Sequence, residues 1–162
     1  FIRQENIKTM SDFDQKIKDI WKNGNQVKDN IKQLEVKYNE LSTVYKELAT
    51  YQEHKEVYDK YQKIKLRFNK QKFYDRHIGE INLAEGSLNV LSRYNIDPNT
   101  DLSKVKDSLQ DINSKLQPLK REYKAINSKI DKIKEVKEYA EMVSRQNQRE
   151  NRKINRFSNI ER

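Results

Sequence analysis

Two long runs in this chain place an apolar residue at every third or fourth position, and that spacing limits the fold more than any other feature. The first run carries Phe13, Ile17, Ile20, Val27, Ile31, Leu34, Tyr38, Leu41, Tyr45 and Leu48; the second carries Leu102, Val105, Leu109, Ile112, Leu116, Leu119, Tyr123, Ile126, Ile130 and Ile133. Alternating steps of three and four keep one face of an α-helix apolar over successive heptads, and such a face must be buried against another helix. The pattern predicts an all-α fold, an elongated coiled-coil-like bundle of about three helices. A fold of this kind offers scaffold and binding surface more readily than an enclosed catalytic pocket.

The composition agrees with narrow seams. Only 34% of the 162 residues are apolar while 36% are charged, too thin an apolar fraction for a thick globular core but enough for a coiled coil. A mean hydropathy of −1.15 would also suit a disordered chain; sustained periodicity argues against that reading up to about residue 143 and fades beyond it. No apolar run is long enough for a membrane span and no secretory signal is visible. The absence of cysteine excludes disulfides and thiolate metal sites and fits a reducing cytoplasm. The chain begins at Phe1 inside an apolar-patterned stretch, and is expected to be a piece of something longer.

The breaks divide the chain into residues 1–11, the end of an upstream element and a turn; a helical region over 12–144; and a basic polar tail over 145–162, open to disorder. Ser11 with Asp14 three residues later predicts a capped start, and the helices are expected at about 12–65, 72–94 and 102–144. Gly24 falls on the first seam and marks a bend there. After Leu48 the apolar rows shift to Tyr51 and Tyr58, and to His54, Tyr61 and Phe68, as a stutter or a change of packing partner produces. Phe73, His77, Ile81, Ala84, Leu88 and Leu91 form the predicted buried row of the second helix. Pro98 in Asn95–Asn99 predicts the clearest break, Thr100 or Asp101 can cap the third helix, and Pro118 is expected to kink or split it near Gln117.

The net charge of +9 is unevenly placed and points to polyanionic partners. Lys60, Lys63, Lys65, Arg67, Lys70, Lys72 and Arg76 lie within seventeen residues against Asp75 alone, with Tyr61, Phe68, Phe73 and Tyr74 interleaved. Basic side chains neutralise phosphates and release counterions, and exposed aromatic rings stack on unpaired bases; the competing reading is a solvated helix end whose aromatics belong to the core. The tail adds Arg145, Arg149, Arg152, Lys153 and Arg156 as a second candidate DNA-binding cluster. A peripheral membrane role calls for a basic amphipathic face with Trp and Leu opposite, and Trp21, alone beside Gly24, does not supply it. His54 and His77 lack the further ligands a metal needs. Most of the tyrosines (Tyr38, Tyr45, Tyr51, Tyr58 and Tyr123) sit at seam spacing, and none is coupled in sequence to an activating His and acid cluster; Gly79 and Gly86 are too scattered for a phosphate loop. The residues therefore predict no catalytic site, no metal and no cofactor in this segment.

Several stretches resemble a known family. FIRQENIKTMSDFDQKI (Phe1–Ile17), IKQLE (Ile31–Glu35), Tyr51, VYDKY (Val57–Tyr61), QKFYDRHIGEINLAEG (Gln71–Gly86) and LQPLKREYKAI (Leu116–Ile126) are similar, in order and approximate spacing, to the carboxy-terminal helical region of relaxase/mobilisation nucleases. The resemblance covers about Phe1 to Val143. Ile96–Lys115 is longer than the usual connection, and the tail after Ser144 has no counterpart. The family contains DNA-nicking enzymes of mobile plasmids and conjugative transposons, which use a tyrosine and a histidine-held metal in an amino-terminal nuclease domain. None of those motifs maps onto a residue here. The resemblance implies a non-catalytic helical region in the bacterial cytoplasm that contacts DNA, docks conjugative transfer proteins or self-associates. The alternative is a structural coiled coil without a DNA role.

Overall fold

The computed structural model describes Glu5 and residues 7–158, with side chains to Arg152. It contains three helices, α1 (Met10–Lys63), α2 (Arg67–Arg93) and α3 (Leu102–Ser158), and no strand among the described residues. Both predicted seams are buried or half-buried along their whole length. The chain forms two compact units, Lys32–Gln117 and, separately, Phe1–Ile31 with Pro118–Arg162, so α1 and α3 each contribute to both.

In the unit spanning 32–117, three helices share one core. Val44, Leu48 and Tyr51 of α1, Ala84 and Leu91 of α2 and Val105 of α3 are buried together, with Leu41, Tyr45, Tyr58, Leu88, Ile96 and Leu102 packed around them. The apolar rows shift within this stretch of α1, where it packs against α2 as well as α3. Ser87, 2% exposed, is the polar residue of the α1–α2 contact, and its hydroxyl donates to Glu47 Oε2 at 2.9 Å. Tyr51 is buried, and that burial, ahead of the nearby Asp59 carboxylate, pushes its phenol above the usual range.

Helix α2 ends in a Schellman turn: Ile96 N–H donates to Leu91 O at 3.0 Å and Asn95 N–H to Ser92 O at 3.1 Å. Asn95 takes the left-handed conformation this turn requires (φ 53°), a role more often filled by glycine. Ile96 then folds back onto the Leu91 cluster. Asp97 accepts from Asn99 N–H, and Asp101 caps α3 by accepting from Ser103 N–H at 2.9 Å. That bond holds the Asp101 carboxyl below its ordinary value. Of the two candidate caps, Asp101 is the one used.

In the other unit α1 packs on α3 through Phe13 and Ile133, joined by Ile7 from before the helix and bordered by Ile17, Ile20, Val136 and Ala140. The start of α1 differs from the Ser11/Asp14 expectation. Thr9 and Asp12 form the cap: Asp12 Oδ2 accepts from Lys8 and Thr9 N–H at 2.8 and 2.7 Å, and Thr9 Oγ1 accepts from Asp12 N–H at 3.3 Å. The same hydroxyl-to-acid spacing occurs two residues earlier, and there it also lets Ile7 join Phe13 in the core. Asp14 is thereby left free to pair with Lys137 across the helices at 2.6 Å.

Gly24 marks a close approach between α1 and α3. It is buried within continuous α1, and a Cβ placed there would lie 3.0 Å from Ile126 Cγ2. Gly24→Ala should be nearly neutral in thermal melts, because about 1 kcal/mol of helix propensity offsets a small displacement of Ile126. Gly24→Leu should destabilise by about 1–3 kcal/mol through overpacking.

Pro118 does not split α3, which runs as one helix from Leu102 to Ser158. The helix also continues past the expected end at 144, so the backbone of the tail is helical through Ser158. α2 starts at Arg67, ahead of the expected 72, and is kinked at His77 (φ −122°, ψ 23°).

Glu5 bridges two elements, with one carboxylate oxygen 3.0 Å from Lys16 Nζ and the other 2.7 Å from Lys129 Nζ. Its carboxyl is held below the ordinary 4.5, first by Lys129 and then by Lys16, and that of Asp12 below 3.8 by the backbone N–H groups of Lys8 and Thr9. A carboxyl whose folded-state pKa is depressed contributes stability that is present above its unfolded pKa and lost as pH falls through the folded value. The melting temperature should therefore drop as pH is lowered from 4.5. A Glu5→Gln/Asp12→Asn variant should melt lower than the parent at neutral pH and show a flatter acid limb.

Candidate functional site

The predicted basic cluster lies at the turn between α1 and α2, within the unit spanning 32–117. α1 ends at Lys63 and α2 begins at Arg67, leaving Ile64–Lys65–Leu66 as the reversal. Both helix ends carry positive charge for different reasons. The last turn of α1 holds Lys60 and Lys63, placed against the negative end of its helix dipole. The first turn of α2 contains no acid, and Leu66, in extended geometry, supplies no side-chain cap. The first N–H groups of α2 thus add their partial positive charge to that of the side chains.

The predicted site residues do not all stand free. Lys60 pairs with Glu56 at 2.7 Å, and this bond also depresses the Glu56 carboxyl. Lys70 Nζ lies 4.5 Å from the centroid of the Tyr61 ring, and Lys72 Nζ lies 4.3 Å from that of Phe68. Lys63, Lys65, Arg67 and Arg76 are exposed and have no ion pair among the described residues. Asp75, the one acid of the cluster, accepts a hydrogen bond from Gln71. These four free cations, with Lys70 and Lys72 held on ring faces, make a concentrated electropositive end.

The interleaved aromatics separate into two groups. Tyr61 and Tyr74 pack on each other with centroids 5.8 Å apart, and Tyr74 OH donates to Asn82. Phe73 stacks at 4.5 Å on His77, whose Nδ1 is 2.6 Å from Glu80 Oε2. Phe68 alone of the four is exposed, at 68%. Packing therefore claims three of the aromatics, and one remains available to a ligand. Leu66, equally exposed at 68%, is part of the same surface and was not among the residues singled out from sequence. Its signal was the alternation Ile64–Lys65–Leu66–Arg67–Phe68, which belongs to neither seam.

The second predicted cluster lies on α3, in the other unit. Arg145 is 3.5 Å from Glu141, while Arg149 and Arg152 are exposed. The side chains of Lys153 and Arg156 lie outside the described residues. Glu138 and Glu141 line the same shallow surface as Arg145 and Arg149, so acids partly neutralise the described part of this face. Among the described residues no three His, Cys, Asp or Glu side chains come together as a metal site, and no helix is long and apolar enough to cross a membrane. No protein-family model, curated protein or solved structure matches this chain.

Proposed function

We infer that this chain is a non-catalytic helical region of a DNA-nicking relaxase, acting in the bacterial cytoplasm and contacting DNA through the α1–α2 tip during conjugative transfer. The family assignment rests on the sequence resemblance over Phe1–Val143. The observation that carries the DNA contact is the set Lys63, Lys65, Arg67 and Arg76, exposed and without ion pairs at the end of two helices. Cations already neutralised by carboxylates would gain little from phosphate; these have no such partner to lose. Binding then proceeds by counterion release and needs no induced change in the helices. Docking of transfer proteins is assigned to α3, where Tyr139 and Met142 are 65% and 57% exposed beside Arg145.

The test is fluorescence anisotropy of the chain with single- and double-stranded oligonucleotides over a range of salt. Affinity should be micromolar or tighter at low salt and fall steeply as salt rises, by about 0.7–0.9 in log K per log salt for each phosphate contacted. Absence of binding at low salt leaves the alternative, a structural coiled coil.

A further inference from the structure

Phosphate binding accounts for the cations of the tip but gives no role to two of its side chains. Leu66 and Phe68, each 68% exposed, are the most exposed large apolar side chains among the described residues. Neither belongs to the core cluster of its unit. They stand at the chain reversal, Leu66 immediately before α2 and Phe68 in its first turn, and they alternate with Lys65 and Arg67. A ring can stack on a base, but an aliphatic side chain cannot, and water gains nothing from either. Apolar side chains at the end of a projecting turn, ringed by lysine and arginine, suit the boundary between headgroups and acyl chains. There the apolar groups leave water while the cations meet lipid phosphates. Lys72, whose Nζ lies over Phe68, can extend along the ring toward the headgroups as that ring enters.

We propose that the α1–α2 tip docks on an anionic lipid bilayer, with Leu66 and Phe68 entering the interface and Lys63, Lys65 and Arg67 facing lipid phosphates. The contact is peripheral, and it stands independently of the DNA reading. DNA and bilayer compete for the same cations, and the apolar pair is what separates them.

The experiment is cosedimentation of the full chain with phosphatidylcholine vesicles, with and without phosphatidylserine, beside the DNA anisotropy assay. Leu66→Ser/Phe68→Ser is the informative variant, since both side chains are exposed and the fold does not depend on them; circular dichroism verifies its helicity. The parent should sediment with phosphatidylserine-containing vesicles and not with phosphatidylcholine alone. The variant should lose about tenfold or more in vesicle affinity and keep its affinity for double-stranded DNA, whose paired bases offer no face for Phe68 to stack on. Lys63→Glu/Arg67→Glu should lose vesicle binding as well. Failure of the parent to bind anionic vesicles at low salt, or equal binding by the apolar variant, overturns the proposal. So does a parallel loss of double-stranded DNA affinity in that variant, which would make the apolar pair part of the DNA contact. Vesicle binding without DNA binding would overturn the nucleic-acid reading and leave this one standing.

Discussion

Replacing Leu48 with alanine should destabilise the protein by about 2–5 kcal/mol, with a fall in Tm of roughly 4–20 °C. Leu48 is fully buried where α1 meets α2 and α3, among Val44, Tyr51, Ala84, Leu91 and Val105. Truncation there removes apolar contact with two helices at once, and Ala84, already small, cannot fill the space. The lower end of the range applies if Leu88 or Leu102 closes in, the upper end if the cavity persists. Leu48→Asp should be worse, because it adds an unpaired charge to a dry site. Lys46→Ala, on the exposed side of the same turn, should shift stability by no more than about 0.5 kcal/mol. Thermal melts followed by circular dichroism make the comparison, and similar losses at positions 46 and 48 would refute this placement of the core.

Reversing the charge of Lys63, Lys65 and Arg67 together should weaken DNA binding by at least about thirtyfold at moderate salt and lower the salt slope by about 2–3. All three side chains are exposed and hold no ion pair, so the substitution removes phosphate contacts without breaking an internal one. Melting should be nearly unchanged. Lys60→Glu is the useful contrast: Lys60 is already engaged with Glu56 at 2.7 Å, and its reversal should cost less DNA affinity than the reversal of Arg67. Retained affinity in the triple variant would rule out the tip as the DNA contact and direct attention to Arg145, Arg149 and Arg152 on α3.

The difference between Lys60 and Arg67 shows how far a linear reading of charge can go. Seven basic residues in a short interval are visible in the sequence, as is their place near a helix break. Which of them are occupied is not visible, because that depends on which carboxylates and rings the turn brings within reach. Tyr61 and Tyr74 are thirteen positions apart, yet the reversal sets their rings against each other and removes both from the exposed surface. Phe68 lies between them in sequence and remains outside. The same applies to the start of α1. Ser11/Asp14 and Thr9/Asp12 are equivalent as local patterns, and the start in use, at Met10, is the one that comes with Ile7 packed into the core beside Phe13 and Ile133.

The sequence by itself determined that the chain is helical, which faces are buried, and where its clearest break falls. Those properties follow from the period of the apolar residues and from the local chemistry of Pro98, Asn95 and Asp101, all of which act over a few residues. Only the tertiary structure decided that α1 meets two helices around Leu48, that Gly24 lies against Ile126, and that Leu66 and Phe68 stay exposed among cations. Each of these depends on which distant segment arrives opposite a given face, and a repeat of three and four residues says that a face must be covered without saying by what.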